Sequence, residues 1–432
     1  MELNGKAASH VVVGAGVLGL TAAWRLAERG ADVLVLEKDR VGAGASGAAG
    51  GIVRNFYRSP AITAVVRDSV EIFESDAEAF GFHQVGYLAA VPAAQVEDLI
   101  AIREHHDRVG YESELVLGPG PCREYLAWTW PDWEAEVEAV LHERRGGWAD
   151  AMRTVRHLAD RARGAGARIE EGVEVTGFEL GPGGVEAVLT ARGPVRCEVA
   201  VLAPGPWASA IWAMLEQQPE VADADAGTGQ RRSLFAYLKA QEGEFQLTGA
   251  GLAAGGRTGH EPPVVHLDQS GPLRSDRDGA ELAAGPWGIY FRIGRDGTSV
   301  TGGGLPVALS EPELDPYGPD NPAHAAESGF AEFFTSGLAA AIGRFRGRAA
   351  DWRATLAGGI VSHTPDNYPV CDWVLPNAYA IIDSGHSFKL LALGRLAADD
   401  VLGGEPRLDP FRLSRFERGA THTASQGPYP WT

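Results

Sequence analysis

The alternation of apolar and polar positions predicts a strand–helix–strand unit at the start of the chain. A β-branched run, Val11–Val13, precedes a glycine-rich turn, after which apolar residues recur at helical spacing: Leu20, Ala23, Trp24 and Ala27. The helical pattern closes near Gly30, and a second apolar run follows at Val33–Leu36. Strands buried on both faces of a parallel sheet are typically near-continuous apolar runs. The pattern therefore predicts a βαβ unit with a parallel pair of strands.

Helical and strand patterns alternate in blocks along the rest of the chain. Helical patterns occupy residues 62–80 and 91–145, and a helix followed by a strand is predicted over 147–178. Several strand-like runs follow one another at short spacing between residues 233 and 305, and this pattern predicts an antiparallel sheet. A strand–turn–helix pattern returns at 378–404.

Pieces typical of a nucleotide-binding domain thus recur at the start, middle and end of the chain. We predict an α/β fold in which a Rossmann-like domain is interleaved with an α+β substrate domain built on an antiparallel sheet. The Rossmann-like, cofactor-binding domain is predicted to comprise residues 1–90, 146–232 and 350–432. The substrate-binding domain is predicted to comprise residues 91–145 and 233–349. The length of 432 residues agrees with two domains.

Composition narrows the classes of partner. The formal net charge of −19 disfavours nucleic acid and anionic membranes, which would repel the chain. Three cysteines lie far apart: Cys122, Cys197 and Cys371. Their spacing predicts neither a disulfide framework nor a metal site, and with no signal-like start we expect a cytoplasmic protein with a small-molecule substrate.

The turn of the first βαβ unit carries a dinucleotide-binding signature. Gly14, Gly16 and Gly19 form G-x-G-x-x-G between strand and helix. The first glycine permits the tight turn, the second admits a pyrophosphate close to the backbone, and the third lets the helix pack against the strand. The helix N-terminus then offers N–H groups to the phosphates.

An acidic residue stands where the ribose would lie. Glu37 ends the second strand, 18 residues after Gly19, and its carboxylate can accept hydrogen bonds from both ribose hydroxyls. Lys38 follows it and is a further candidate contact. A glycine-rich turn that binds nothing is the alternative, and the agreement of strands, helix and acid argues against it.

The signature alone does not distinguish FAD from NAD, but its surroundings favour FAD. The fingerprint lies at the extreme N-terminus, and a glycine-rich loop containing Ser46 follows it. A mid-chain strand ends in Gly205 and Trp207. A glycine-led helix start near the C-terminus can face the flavin pyrimidine carbonyl with its N–H groups; it comprises Gly385, His386, Ser387 and Phe388.

Together these stretches resemble the D-amino-acid-oxidase superfamily of FAD-dependent oxidoreductases, in particular its sarcosine oxidase, dimethylglycine dehydrogenase and glycine oxidase branch. The resemblance reaches both ends of the chain and covers somewhat under half of it. The matching stretches are "VVVGAGVLGLTAAWRLAERGADVLVLEK", "GASGAAGGIVRNFY", the block 147–178, "SHTPDNYPV" and "SGHSFKLLALGRLAADDVLGGEPRLDPFRLSRF".

The resemblance implies an FAD-dependent oxidase or dehydrogenase. Such enzymes oxidise the C–N bond of an amino acid or N-alkylated amino acid to an imine, with hydride transfer to flavin N5. The electrons pass on to O2 or another acceptor. Two alternatives stay open: an FAD oxidoreductase acting on a biosynthetic intermediate without a free carboxylate, and a non-catalytic FAD-binding subunit of a larger oxidase. The oligomeric state is left open.

The resemblance also assigns a substrate-binding role to Arg54 and Lys389, which in relatives grip the substrate carboxylate. Arginine offers a rigid two-pronged fork, and lysine a compact charge on a flexible stem. Lys389 stands out because only four of the 38 basic residues are lysines. The alternatives are a surface lysine lying over its apolar neighbours and an ion pair made by Arg54 within the cofactor domain.

Three further residues are candidates for the substrate pocket. Tyr57 and Tyr290 are expected to reach the pocket or else to pack in the core. His386 is expected to be a backbone-bonded residue near the flavin rather than a general base. Asp383, just before this turn, is expected to point away from the flavin or to cap the following helix.

Two departures from the family pattern affect the chemistry. The position at which some relatives carry a covalently attached cysteine is Gly359, and no histidine lies between His10 and His83, so we predict that FAD is held without a covalent bond. Sarcosine-type oxidases also place a lysine beside the flavin, near 296–303 here, yet no lysine occurs from 240 to 388. Either another cation assists oxygen reduction in its place, with Arg292, His363 and the product iminium as candidates, or oxygen is not the preferred acceptor; the missing lysine thus favours dehydrogenase behaviour.

Overall fold

The computed structural model describes residues 7–223, 229–247, 261–293 and 299–429. Within these ranges the chain forms 24 β-strands and 11 α-helices, together with short 3-10 turns. The strands are β1 (Ala7–Val13), β2 (Val33–Leu36), β3 (Ile52–Val53), β4 (Phe82–His83), β5 (Tyr87–Val91), β6 (Ser113–Leu117), β7 (Ala139–Glu143), β8 (Gly147–Ala149), β9 (Arg168–Glu170), β10 (Val175–Gly181), β11 (Gly184–Thr190), β12 (Val195–Leu202), β13 (Glu220–Ala222), β14 (Arg231–Ser233), β15 (Ala236–Leu247), β16 (Val264–Gln269), β17 (Leu273–Arg274), β18 (Glu281–Ala283), β19 (Trp287–Ile293), β20 (Ser299–Gly304), β21 (Val307–Leu309), β22 (Trp352–His363), β23 (Val370–Leu375) and β24 (Ala378–Ile382). The helices are α1 (Val17–Glu28), α2 (Ala45–Ala48), α3 (Pro60–Ser75), α4 (Ala77–Phe80), α5 (Val96–Val109), α6 (Pro119–Ala127), α7 (Ala151–Gly164), α8 (Ala208–Met214), α9 (Phe330–Ala341), α10 (Leu391–Val401) and α11 (Ser414–Glu417).

An eight-stranded sheet contains the N-terminal βαβ unit. Its order is β10-β11-β12-β1-β2-β9; β24 also pairs with β12, and β23 pairs with β24. β1 runs parallel to both β2 and β12, which confirms the predicted parallel pair. The first half of β12 pairs with β11 and its second half with β24, so one strand joins the antiparallel part of the sheet to the parallel part.

A second, nine-stranded sheet lies beside the first. Its order is β21-β15-β20-β19-β16-β5-β7-β6, with β22 paired to β15 along its whole length. All of its pairings are antiparallel except that of β5 with β16. Aromatic rings from α9 pack on it, with Phe334 stacked on Phe245 at 4.3 Å between ring centroids. The mixed α/β architecture with two sheets is confirmed.

The sheets do not coincide with two of the predicted domain boundaries. The boundary at 90 falls within β5, and the boundary at 350 assigns β22 to the cofactor domain, whereas both strands pair within the nine-stranded sheet. The helical prediction for residues 91–145 is also incomplete. Besides α5 and α6, this stretch forms β6 and β7, and its Trp130 and Trp133 are buried in the core.

The first sheet brings four chain segments to one edge. β1, β2, β12 and β24 run parallel, so their carboxyl ends meet there. Gly14, Glu37, Ala203 and Asp383 each follow directly after one of these strands. The carboxyl edge of a parallel sheet is the usual place for a ligand, so this edge is the candidate cofactor site.

Other features bear on the classes of partner. None of the described helices is long and apolar enough to cross a membrane. In the same residues, no group of three or more histidine, cysteine or acidic side chains is placed to hold a metal ion. Cys122, Cys197 and Cys371 are free thiols.

We expect the close contact of α10 with α1 to limit the size of residue 394. A methyl group on Gly394 would lie 2.1 Å from Thr21 Oγ1 and 2.4 Å from the Leu18 carbonyl oxygen. Gly394→Ala should therefore destabilise the protein by about 1–3 kcal/mol, measured as a lower Tm and denaturation midpoint. Gly164→Ala in α7 is the control, because nothing lies within 4 Å of its added methyl. Equal losses in both variants would contradict this packing.

Candidate active site

A groove of about 150 Å³ follows the carboxyl edge of the first sheet. Most predicted cofactor residues line it: Gly14, Gly16, Glu37, Lys38, Ser46, Gly205, Trp207 and Ser387. Gly19 does not line the groove. A methyl group on it would lie 2.0 Å from the Gly14 carbonyl oxygen, so this glycine serves the contact between helix and strand.

The glycine turn leaves no room for side chains. Gly14 has φ of +100°, and a methyl group there would lie 2.4 Å from the Ala203 carbonyl oxygen. At Gly16 the nearest atom would be Ser46 Oγ at 3.0 Å. Ser46 Oγ in turn accepts a hydrogen bond from the Val17 N–H at 3.1 Å, at the first turn of α1. The bare backbone and the helix start form a cradle of the kind that receives a pyrophosphate.

Glu37 is fixed at one end of the groove. Its Oε2 accepts a hydrogen bond from the Ala15 N–H at 2.8 Å, and its Oε1 accepts one from the Asp39 N–H at 3.0 Å. Burial raises the pKa of the carboxyl. A carboxylate has about four acceptor positions, so two remain for ribose hydroxyls.

Lys38 and Trp207 form one cluster at the rim of the groove. The Lys38 ammonium lies 4.2 Å from the centre of the Trp207 ring and forms an ion pair with Asp315. The Trp207 Nε1–H donates to the other carboxylate oxygen of Asp315 at 3.1 Å. Asp315 therefore ties the two predicted residues together, although no sequence pattern indicated it.

A second cavity of about 130 Å³ adjoins the groove. The two share Ala45, Val361, Asp383 and Ser387 as lining residues, so they lie side by side. The second cavity has charged and aromatic walls, formed in part by Arg54, Lys389, Glu242, His266, Tyr87, Tyr290, Tyr317 and Tyr429. Gly385 and Phe388 also line it, so the predicted cofactor residues of this turn face the junction rather than the groove itself.

Arg54 and Lys389 come together in this cavity from distant parts of the chain. Arg54 is 4% exposed, and its Nη1–H donates to the Phe56 carbonyl at 2.9 Å. Lys389 ends a 3-10 turn, Ser387–Lys389. Desolvation, and next the nearby charge of Arg54, lower the pKa of Lys389 to about 7. In the described part of the chain neither cation has a carboxylate within ion-pair distance, although Glu143 attracts Arg54, and Asp383 and Glu242 attract Lys389, through space.

Tyr57 and His386 are placed behind the cavity rather than in its wall. Both are fully buried, and neither lines the cavity. His386 Nε2–H donates to the Asn367 carbonyl at 2.6 Å, so its Nδ1 accepts from the Tyr57 hydroxyl at 3.1 Å. Burial holds the pKa of His386 well below its usual value. The pair supports the turn that carries Lys389.

Asp383 acts as a cap for that turn. Its two carboxylate oxygens accept the N–H groups of Gly385 and His386, each at 3.1 Å. Burial raises the pKa of the carboxyl. The carboxylate is thus held by backbone donors, as expected of a cap.

The proposed substitute cations do not reach the cavity. Arg292 is stacked over Trp148 at 3.9 Å, and His363 is bonded through Nδ1 to Asn367 at 3.1 Å. Neither lines the cavity among its described residues. Of the stretch 296–303, residues 296–298 lie outside the described residues. Gly359 lines the cavity, where a methyl group would lie 3.2 Å from the Tyr317 hydroxyl oxygen.

Sequence reasoning missed several cavity residues. Glu242 lies on β15 and accepts a hydrogen bond from the Tyr290 hydroxyl. His266 lies on β16. Tyr429 arrives from the C-terminal segment, with its ring centroid 5.1 Å from that of His266 and 6.3 Å from that of Tyr290. The sequence held no local signal for Glu242, because its strand also contains Lys239, Gln241, Glu244 and Gln246.

A match to a family model assigns the chain to a family. Residues 9–242 match the model of the DAO family, described as FAD dependent oxidoreductase. The chain belongs to this family. DAO membership confirms FAD as the cofactor and an oxidoreductase as the class of enzyme.

Two kinds of relative agree with the DAO assignment. The chain is 23% identical to mitochondrial dimethylglycine dehydrogenase of Rattus norvegicus over 431 residues, covering 95% of this chain but only 45% of that protein. The chain thus spans about half the length of this DAO relative. Among solved structures, L-proline dehydrogenase from P. horikoshii has a TM-score of 0.75 at 22% identity, covering 96% of this chain and 99% of that one. Glycine oxidase from Geobacillus kaustophilus has a TM-score of 0.70 at 18% identity, covering 95% and 99%.

The groove of this DAO protein fits FAD. The side-chain-free turn at Gly14 and Gly16 admits a pyrophosphate, Glu37 keeps acceptor positions for a ribose, and the groove adjoins the charged cavity where the flavin end would lie. Residues from both ends of the chain therefore line the junction of the two cavities.

The lowered pKa of Lys389 predicts how anion binding depends on pH. Below about pH 7 Lys389 is a cation, and above it the free protein loses that charge, whereas Arg54 stays charged. The affinity for a simple carboxylate such as propanoate should hold up to about pH 7 and then fall by up to tenfold per pH unit. The perturbation of the flavin absorbance on titration measures it. The Lys389→Met variant should bind propanoate more weakly at all pH values and show no decrease in affinity above about pH 7. A decrease that persists in the variant would mean that another group causes it.

Proposed function

We propose that this protein is an oxidase or dehydrogenase that converts the C–N bond of an amino acid or N-alkylated amino acid to an imine. The observation that carries the proposal is the convergence of Arg54 and Lys389 in a cavity that adjoins the cofactor groove and shares lining residues with it. A buried arginine and a half-buried lysine without a contacting carboxylate favour an anionic ligand, because an unpaired buried charge is costly.

The two cations suit a carboxylate. One N–H of Arg54 is held by the Phe56 carbonyl, which leaves the rest of the fork for the ligand. Lys389 contributes a compact charge from a turn that Asp383 and His386 support. A bidentate contact to one head group fixes the position of the substrate, and positioning of this kind lowers the barrier of the chemical step.

The chain's other cavity residues exclude water and shape the space. Rings of Tyr87, Tyr290, Tyr317 and Tyr429 line the cavity. FAD, when bound, supplies the two-electron acceptor for the hydrogen on the carbon next to the nitrogen. The residues of the chain hold the substrate so that this carbon faces the junction of the two cavities.

The names of the relatives support an amino acid as substrate. Dimethylglycine, glycine and L-proline, which appear in the names of the three proteins compared above, each carry a carboxylate beside an amine. The presence of Arg54 and Lys389 also disfavours a biosynthetic intermediate without a free carboxylate, because such a compound would leave both charges unpaired.

We further propose that FAD is held without a covalent bond and that an acceptor other than O2 is preferred. Gly359 offers no thiol where some relatives attach the flavin. The lysine that sarcosine-type oxidases place beside the flavin is missing, and neither Arg292 nor His363 is among the described residues that line the cavity, which leaves the product iminium as the remaining candidate cation.

The substrate class is tested by mixing the purified flavoprotein anaerobically with D-, L- and N-methyl amino acids. At least one amino acid should bleach the flavin absorbance, and the matching amine without a carboxylate should not. Bleaching by the amine alone would contradict the carboxylate site. No bleaching by any amino acid or amine would favour a non-catalytic subunit.

Removal of either cation should weaken substrate binding strongly. Arg54→Met and Lys389→Met should each weaken the binding free energy of the amino acid by roughly 2–5 kcal/mol, because each removes one of the two positive partners of its carboxylate. The loss is measured as a higher half-saturating concentration. Arg353→Met, an exposed position on β22, is the control for loss of a positive charge. Flavin content and Tm report folding. Unchanged affinity in both cavity variants would overturn the site.

A further inference from the structure

Glu242 places a negative charge in the same cavity as the two cations. It lies on β15, where it is paired with Gly303 of β20 and Ala357 of β22. Its side chain lines the cavity, and its carboxylate lies against Gly50, where a methyl group would be 2.7 Å from Oε1 and 2.8 Å from Oε2. The absence of a side chain at Gly50 therefore leaves room for this carboxylate beside the glycine-rich loop that contains Ser46.

The carboxylate is only partly satisfied by the protein. The Tyr290 hydroxyl donates to Oε1, which uses one of about four acceptor positions. Lys389 and Arg292 attract it through space, but in the described part of the chain no lysine or arginine forms an ion pair with it. Burial raises the pKa of the group, as expected for a carboxylate without a contacting cation.

The other carboxylate that lines the cavity has fewer acceptor positions left. Asp383 accepts two backbone N–H groups in the turn before Lys389, whereas Glu242 accepts one side-chain hydroxyl. Of the two carboxylates, Glu242 thus has more acceptor positions to spare. Two cations and one such carboxylate match the two ends of a zwitterion, whose carboxylate would meet Arg54 and Lys389 and whose ammonium would meet Glu242.

We propose that Glu242 binds the ammonium group of the substrate, so that the cavity selects zwitterionic amino acids over simple carboxylates. The proposal rests on the function proposed above, because it takes the Arg54 and Lys389 site as the place of the substrate carboxylate. Primary, secondary and tertiary ammonium groups all keep at least one N–H to donate to Glu242.

Two unreactive ligands of equal shape distinguish the binding of the carboxylate from the binding of the ammonium group. 2-Aminoisobutyrate has no hydrogen on its α-carbon, so it is not oxidised there, and pivalate replaces its ammonium by a methyl group. Binding is measured by calorimetry and by perturbation of the flavin absorbance. The wild-type protein should bind 2-aminoisobutyrate more tightly than pivalate, because a hydrogen bond between charged groups is added.

The isosteric variant Glu242→Gln tests the residue itself. The affinity of this variant for 2-aminoisobutyrate should be about 10- to 100-fold lower than that of the wild type. Pivalate should bind equally well or more tightly, since a nearby negative charge is removed. Glu242→Asp keeps the charge and should retain part of the preference. Glu244→Gln is the matched control, because Glu244 lies on the same strand, is exposed and loses the same charge. It should leave both affinities unchanged.

The outcomes distinguish this proposal from the one on which it rests. Equal binding of both ligands by the wild type, or parallel changes of both in Glu242→Gln, would overturn the role of Glu242 and leave the carboxylate site intact. Failure of the wild type to bind either ligand would instead overturn the carboxylate site, and the role of Glu242 would fall with it. Flavin content and Tm of each variant show that the comparison concerns folded protein.

Discussion

The site depends on two cations that meet in one cavity: among the described residues, no protein carboxylate lies within ion-pair distance of either of them. Arg54 is 4% exposed, and the pKa of Lys389 falls to about 7 under desolvation and the repulsion of Arg54. Burying like charges together is unfavourable unless an anion is bound. The arrangement thus favours an anionic ligand and explains why a titratable lysine, rather than a second guanidinium, is tolerated beside Arg54.

The fold supplies what this site requires. Arg54 follows β3 of a small three-stranded sheet, after the glycine loop of the cofactor groove, whereas Lys389 lies in the turn after β24 of the eight-stranded sheet, so different sheets bring the two cations together. The nine-stranded sheet adds Glu242 and Tyr290 to the lining of the cavity. The cavity is therefore lined by residues from the sheet that carries the cofactor groove and from the nine-stranded sheet.

Residues set by local patterns could be predicted from the sequence, and those set by strand pairing could not. Gly14, Gly16 and Glu37 follow directly from a strand–turn–helix pattern, and a resemblance to a known family supplied Arg54 and Lys389. Glu242 depends on which face of β15 meets the cavity, and that is decided by its long-range pairing with β20 and β22. The same pairing moved β22 out of the predicted cofactor domain. Tyr429 was missed because a C-terminal segment of no regular structure delivers it.

The most direct measurement is a crystal structure of the flavoprotein with a small carboxylate bound. The account predicts one carboxylate group with its oxygens within hydrogen-bond distance, about 2.7–3.2 Å, of both the Arg54 guanidinium and the Lys389 ammonium, at the junction with the flavin. A ligand bound away from these two side chains, or a protein side chain filling the space between them, would contradict it.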